Sequence, residues 1–250
     1  MTDLSRLLGS LNQLPPGAST IVLIVGSLAC ILWLVVYGIA IWQNWKQKTN
    51  CIPAGAVCMN VTWELLASTV FADQTSIPAW LILERAWLVM DAVLLVQLFL
   101  YGRAMQHIAL FQKYFYPLIV GLLIFCLLGH YTFEVFCGEE PILLPDALVI
   151  NTIMSILFIV MALTRPLQKG ISLPIAWCKM LGTQCNTVCM IWFVPTFYPP
   201  STVPPHSNPG PFLWFLALSI GLIDCIYIYI VTQRKKTGVI ATFSLRHETI

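Results

Sequence analysis

Charged side chains are scarce in this chain of 250 residues, which is 10% Asp, Glu, Lys and Arg and 58% hydrophobic residues. A soluble globular domain carries about 25% charged residues, so the composition excludes a soluble domain. The mean hydropathy of +0.82 indicates an integral membrane protein instead. The formal net charge of +2 gives no sign of a nucleic-acid-binding surface.

Several motifs that carry chemistry are also missing. The chain has no Asp-Asp-x-x-Asp run for magnesium and diphosphate, no glycine-rich phosphate loop and no Gly-x-Ser-x-Gly element. Its four histidines are too few for a histidine-rich di-iron site, and its nine cysteines form neither a zinc pattern nor a disulfide framework. His130 and Glu134 have a spacing that suits a metal but supply too few ligands. We therefore predict no metal and no cofactor.

Long apolar runs dominate what is present. A spanning helix needs about 20 mainly apolar residues, and seven segments qualify. The sequence therefore predicts one all-α membrane domain over residues 1–250, with seven transmembrane helices at approximately 19–42, 52–71, 78–101, 115–137, 141–163, 171–194 and 212–232.

The basic residues fall mainly on one side of this predicted bundle. Ten of the thirteen Lys and Arg lie in the connections after the first, third and fifth spans or in the C-terminal segment. Because cytosolic loops are enriched in Lys and Arg, the pattern predicts a lumenal N-terminus and a cytosolic C-terminus. We expect an integral membrane protein of the endoplasmic reticulum.

Carboxylic acids interrupt the apolar runs at six positions: Glu64, Glu84, Asp91, Glu134, Asp146 and Asp224. Only Arg85, Lys179 and His130 lie in these runs to offset them. Six ionised acids cannot share a low-dielectric bundle with so few cations, so several are expected to be neutral. A neutral acid between apolar walls is a proton donor, which favours acid chemistry on a lipophilic substrate.

Glu64 and Asp224 are the strongest candidates for that chemistry. Asn60 precedes Glu64 by four residues and shares its helix face, Trp63 adjoins it, and Tyr227 lies three residues after Asp224. Counting along the helices places Glu64 roughly 12 Å and Asp224 roughly 20 Å below the lumenal end. We predict that the two carboxyls line one cavity, although a structural hydrogen-bonding role for each remains an alternative.

Further polar residues are candidates for the pocket or for structural pairing. Asp91 lies roughly 20 Å from the lumenal end and, with Trp87 one turn earlier, is a candidate pocket residue. Glu84 and Arg85 are expected to form structural ion pairs, with Arg85 reaching an acid on a neighbouring helix. Lys179 is expected to be the counter-ion of one of the acids.

The pattern around these residues resembles a known family, the small seven-helix membrane terpene cyclases of fungal meroterpenoid and indole-diterpene pathways, typified by the pyripyropene cyclase. The matching elements are Lys48-Thr49, Pro53, Asn60-Val61-Thr62-Trp63-Glu64, Lys179-Met180-Leu181-Gly182-Thr183, and Asp224 with Tyr227. Cys51 departs from the family pattern, in which glycine is expected, but lies away from the acids.

The resemblance implies a function and partners. The family protonates the terminal epoxide of a prenyl chain, and cation–olefin ring closures and proton loss follow. Glu64 and Asp224 correspond to its candidate proton-donating acids. The implied partners are a lipophilic epoxyprenyl substrate, the lipid bilayer, and an upstream prenyltransferase and epoxidase of the same pathway.

Two other classes share a seven-helix topology. A sugar-type transporter would show an internal three-plus-three repeat with Pro-Gln signatures, and the chain has no Pro-Gln dipeptide. A rhodopsin-like receptor would carry a lysine for retinal or an Asn-Pro-x-x-Tyr element in its last span, which has neither. The transporter is the main alternative to the cyclase.

Overall fold

The computed structural model describes residues 18–72, 78–106, 108–137, 144–165, 169–197 and 209–247, and all regular structure in these ranges is helical. A 3-10 turn, Arg103–Met105, follows the third helix. The α-helices are α1 (Ala18–Gln47), α2 (Ala54–Ser68), α3 (Pro78–Tyr101), α4 (Ala109–Lys113), α5 (Phe115–Cys137), α6 (Leu144–Thr164), α7 (Leu173–Phe197) and α8 (Gly210–His247).

Each predicted span overlaps one long helix. Four helices are long and apolar enough to cross a membrane by length and composition, over Thr20–Gln47, Phe115–Phe136, Pro145–Thr164 and Gly210–Lys236. The prediction of an all-helical integral membrane protein is therefore confirmed. The number of seven crossings and the orientation of the termini stay predictions.

Several helix ends differ from the predicted spans. α2 has 15 residues, a length of about 22 Å at 1.5 Å per residue, which is shorter than the hydrocarbon core. α8 continues to His247, beyond the predicted end at residue 232, because residues 233–247 contain no proline to stop it. The beginning of the predicted fifth span, residues 141–143, lies outside the described residues.

Prolines mark the beginnings of several helices. Pro53 is the N-cap of α2, Pro78 is the first residue of α3, and Pro174 and Pro211 are the second residues of α7 and α8. The first turn of a helix leaves its N–H groups without intrahelical partners, so the missing N–H of proline costs little there. All four prolines therefore lie where they do not interrupt a helix.

Six long helices are neighbours around a closed ring. α1 packs on α3, α3 on α2, α2 on α6, α6 on α8, α8 on α7, and α7 returns to α1. The remaining long helix, α5, packs mainly on α2. Phe125 and Phe136 of α5 are 72% and 90% exposed, which suits a helix that faces lipid on its outer side.

A polar network ties the connection between α1 and α2 to the one between α6 and α7. The Arg165 guanidinium donates to the carbonyl oxygens of Asn50 and Lys169, and the Gly170 N–H donates to Gln47 Oε1 at 3.1 Å. Gly170 has a φ of 75°, and a Cβ at this position would collide with the Arg165 guanidinium. Glycine is therefore required both by the backbone conformation and by the close approach of the arginine.

Candidate active site

The first buried polar cluster joins α1, α2 and α3. The Tyr37 hydroxyl of α1 donates to Asp91 Oδ2 of α3 at 2.9 Å, and Asn60 Nδ2 of α2 donates to the Tyr37 hydroxyl oxygen at 3.1 Å. All three side chains are buried. Since each hydrogen bond crosses a helix interface, the cluster fixes the register of three helices and the orientation of the Asp91 carboxyl.

Glu64 completes this first cluster. It follows Asn60 by four residues on α2, is 5% exposed, and lies within electrostatic range of Asp91 and Glu84. Buried carboxyls that repel one another do not all ionise, because each further charge would be repelled and poorly solvated. Glu64 Oε2 and Asp91 Oδ1 are buried without a hydrogen-bond partner among the described residues. Both carboxyls therefore have an oxygen available to a ligand.

The second cluster is an ion pair between α7 and α8. Lys179 Nζ donates to the two carboxylate oxygens of Asp224 at 2.7 and 2.8 Å, and to Ser155 Oγ of α6 at 2.7 Å. Lys179 and Asp224 are 0% and 1% exposed. An ammonium has three N–H donors, and all three are used here. The expectation that Lys179 is the counter-ion of a buried acid is confirmed, and that acid is Asp224.

Aromatic rings border this ion pair. Phe158 and Tyr227 have ring centroids 5.1 Å apart, and Lys179 Nζ lies 5.8 Å from the centroid of Phe158. Tyr227, three residues after Asp224, is 1% exposed, and its hydroxyl has no partner among the described residues. A buried hydroxyl without a partner costs free energy, so it is a natural contact for a polar group of a ligand.

The two predicted tryptophans lie near the first cluster. Trp87 is buried on α3 and Trp63 is partly buried on α2, and both belong to or pack against one contiguous apolar cluster. That cluster also includes Tyr37 and Phe158, so it contacts both polar clusters. The predicted tryptophans therefore supply aromatic surface beside the acids.

The two polar clusters together contain at least one buried side chain from each helix of the ring. Among them are Tyr37, Glu64, Asp91, Ser155, Lys179 and Asp224, from α1, α2, α3, α6, α7 and α8 respectively. The structure brings Glu64 together with Asn60 and Asp91, and Asp224 together with Lys179 and Tyr227. That Glu64 and Asp224 line one cavity stays a prediction.

The remaining intramembrane acids are Glu84, Glu134 and Asp146. Asp146 of α6 pairs with His130 of α5, with both carboxylate oxygens 2.8 and 3.1 Å from His130 Nδ1. The Arg85 side chain is exposed on α3, so the expected ion pair between Arg85 and a buried acid is not found in the described part of the chain. Glu84 and Glu134 are buried.

Sequence reasoning missed Tyr37 and Ser155. Each lies in a long, mainly apolar helix, and each acquires its role through partners on other helices. The i, i+3 and i, i+4 spacings that led to Asn60 and Tyr227 cannot reveal such contacts, because the partner is 24 or 54 residues away along the chain.

These features define an all-helical membrane protein with acids buried in its interior. Residues 11–237 match the family model of the Pyr4-like transmembrane terpene cyclases, and the chain belongs to this family. It is 26% identical over 213 residues to the terpene cyclase macJ of Penicillium terrestre, covering 82% of this chain and 79% of that protein. It is also 22% identical to the terpene cyclase terB of Tolypocladium album, over 91% and 95% of the two chains.

Family membership confirms the resemblance found in the sequence. It means that the chain is a terpene cyclase by class and that its surroundings are a membrane. The transporter is not favoured by these comparisons.

Proposed function

We propose that this protein is a membrane terpene cyclase that protonates the terminal epoxide of a prenylated meroterpenoid substrate and guides the cationic cyclisation of its polyene chain. The observation that carries the proposal is the buried Glu64 carboxyl, which has an unpartnered oxygen and lies beside a second buried carboxyl, that of Asp91. This is the environment that keeps one acid protonated at neutral pH. The curated relatives are named terpene cyclases.

Glu64 is the proton donor in this proposal. Opening an epoxide requires a proton on the leaving oxygen as the carbon–oxygen bond breaks, and a positioned general acid accelerates such a step by roughly 10²–10⁴-fold. The unpartnered Oε2 of Glu64 can carry that proton toward a substrate without first breaking a hydrogen bond within the protein. Asn60 and Trp63 flank it on the same helix and contact the substrate.

Asp224 acts as the second catalytic residue through its charge. Its carboxylate pairs with the Lys179 ammonium in the bundle interior, where a negative charge stabilises a developing carbocation. Because all three Lys179 donors are used, the ammonium offers no competing hydrogen bond to the substrate. The Tyr227 hydroxyl contacts the substrate, and the aromatic rings of Trp87 and Tyr227 add cation–π stabilisation of about 0.5–2 kcal/mol each.

The membrane setting suits this substrate. A prenyl chain partitions into lipid, and the family model indicates a transmembrane enzyme. In the proposal the chain crosses the endoplasmic reticulum membrane seven times and acts after a prenyltransferase and an epoxidase, which supply the prenyl chain and its epoxide. The reaction needs no metal and no cofactor.

The proposal is tested with microsomes that contain the protein and a panel of phenolic and polyketide head groups, each carrying a terminally epoxidised prenyl chain. We expect at least one member to be converted into a cyclic isomer of equal mass that bears a new hydroxyl group, detected by mass spectrometry and NMR. Microsomes without the protein are the control. Failure of every epoxide, together with conversion of a prenyl diphosphate, would refute epoxide protonation.

The predicted orientation has its own test. Ten of the thirteen Lys and Arg fall on one predicted side, and α8 carries Arg234, Lys235 and Lys236 beyond its apolar part. A glycosylation-site reporter fused after residue 250 is therefore expected to stay unglycosylated in the cytosol. The same reporter fused before residue 1 is the matched control and is expected to be glycosylated. The reverse result would overturn the orientation, and glycosylation of both reporters or of neither would overturn the odd number of crossings.

A further inference from the structure

The proposed reaction requires a base as well as an acid. Opening of the epoxide adds a proton to oxygen, and cyclisation ends when the last carbocation loses a proton from carbon, so substrate and product are isomers. Both the Glu64 carboxyl and its neighbour Asp91 are buried, which separates them from bulk water. A buried site that consumes one proton and releases another needs a group to receive the second proton. The following inference rests on the proposed function.

Asp91 has the geometry of such a base. Its Oδ2 accepts a hydrogen bond from the Tyr37 hydroxyl, with 2.9 Å between the two oxygens. Its Oδ1 is buried and has no hydrogen-bond partner in the described part of the chain. One oxygen therefore holds the carboxyl in place, and the other is available to receive a proton. The side chain is 1% exposed, so Oδ1 lies inside the bundle and is shielded from bulk water.

Tyr37 and Asn60 determine which of the two neighbouring carboxyls carries the charge. Asn60 Nδ2 donates a hydrogen bond to the Tyr37 oxygen, and the Tyr37 hydroxyl in turn donates a hydrogen bond to Asp91. A carboxyl that accepts a hydrogen bond is favoured in its ionised form, and linked hydrogen bonds strengthen one another. The Glu64 carboxyl has no comparable donor among the described residues. Of the two carboxyls, Asp91 is therefore the better site for the negative charge and Glu64 the better site for the proton.

Asp224 is less suited to the same task. Both of its oxygens accept hydrogen bonds from the Lys179 ammonium, at 2.7 and 2.8 Å. Transfer of a proton to Asp224 would weaken this buried ion pair and leave the ammonium without its counter-charge. Asp91 loses no ion pair on accepting a proton, which distinguishes the two carboxylates.

We infer that Asp91 is the catalytic base that ends the cyclisation and that Tyr37 and Asn60 are its positioning residues. Glu64 first gives its proton to the epoxide oxygen as the carbon–oxygen bond breaks. After ring closure, the electrons of a carbon–hydrogen bond next to the last cation form the product alkene, and that proton passes to Asp91 Oδ1. Transfer of the proton from Asp91 to the Glu64 carboxylate then restores both groups, with no net gain or loss of protons.

The test uses Asp91→Asn in microsomes with an epoxyprenyl phenol that the wild type converts. We expect formation of the wild-type alkene to fall by roughly 10²-fold or more. Opening of the epoxide should continue, with the cation now ending as isomeric alkenes or as water-capture products. Asp146→Asn, which changes a buried aspartate outside both clusters, is the matched control and should leave the product ratio unchanged.

Tyr37→Phe tests the positioning role separately. Loss of one hydrogen bond to a charged group is expected to reduce formation of the wild-type alkene by roughly 10–100-fold and to shift the product ratio in the same direction as Asp91→Asn. In the Asp91→Asn background the same change should have little further effect. Tyr116→Phe, at an exposed tyrosine whose hydroxyl lies 3.5 Å from the Phe99 carbonyl oxygen, is the control.

The outcomes distinguish failure of the role proposed for Asp91 from failure of the proposed cyclase function. If Asp91→Asn accumulates and makes the wild-type alkene in the wild-type proportion, Asp91 is not the base. If it does not accumulate, Tyr37→Phe decides, and an unchanged product ratio overturns the inference. If Tyr37→Phe lowers formation of the wild-type alkene by the same factor in the Asp91→Asn background as in the wild type, Tyr37 does not act through Asp91. A wild type that converts no epoxyprenyl compound would refute the proposed function itself, and the inference with it.

Discussion

Glu64→Gln is expected to lower turnover of an epoxyprenyl substrate by roughly 10²–10⁴-fold, because the amide keeps the size of the side chain but has no acidic proton to give. The protein should still insert and accumulate, since a neutral amide is no harder to bury than a carboxylic acid. Turnover per molecule is measured in microsomes, with the amount of enzyme determined by quantitative immunoblotting.

Glu134→Gln is the matched control for this change. Glu134 is a buried glutamate of α5, the long helix outside the ring. Its replacement should leave turnover per molecule close to the wild-type value, even if accumulation declines. Normal accumulation and wild-type turnover of Glu64→Gln would exclude this residue as the proton donor.

Separating Lys179 from Asp224 is expected to have the second large effect. Asp224→Asn removes the counter-charge of a fully buried ammonium, and loss of one partner of a buried ion pair typically costs about 3–5 kcal/mol of stability. Turnover should also fall by roughly 10²–10⁴-fold, because the proposed catalytic charge is lost. Both are measured on the same membranes, stability by thermal denaturation in detergent and turnover by product formation.

The double variant Lys179→Met/Asp224→Asn separates these two effects. With both charges removed, no unpaired ion is left, so stability and accumulation should recover much of their loss. Turnover should stay low. Recovery of turnover together with stability would show that the ion pair is structural and that Asp224 takes no part in the reaction.

Much of the architecture was predictable because membrane helices leave a strong signal. Twenty apolar residues between polar connections are enough to mark a span, and prolines such as Pro78 and Pro211 mark helix beginnings. The ends of the helices were less predictable. α2 ends at Ser68 and α8 continues to His247, and neither boundary has a strong local signal of its own.

The candidate site was predictable only in part. Glu64 and Asp224 stand out because an acid in an apolar helix is rare and costly. The sequence also indicated that Lys179 neutralises an acid, but it left open which one, since helix order around the ring depends on packing. The choice of Asp224 became clear only from the 2.7 Å contact between α7 and α8.

Tyr37 shows why the remainder was not predictable. It is one tyrosine among many aromatic residues in apolar segments, and its hydroxyl is significant only because Asn60 and Asp91 meet it from two other helices. Local periodicity describes which residues share a face of one helix, not which faces of different helices meet. Cross-helix hydrogen bonds therefore require the three-dimensional arrangement.

The pairing of Lys179 with Asp224 also has a consequence for biogenesis. The two residues belong to the last two long helices, so the ribosome has polymerised Lys179 45 residues before its counter-ion exists. During that interval α7 enters the translocon with an ammonium whose hydrogen-bond partner in the helices already made is Ser155 of α6, and lysine at the centre of a helix opposes membrane insertion. Arrival of α8 supplies the missing charge and closes the ring, so stable insertion of α7 depends on the helix that follows it.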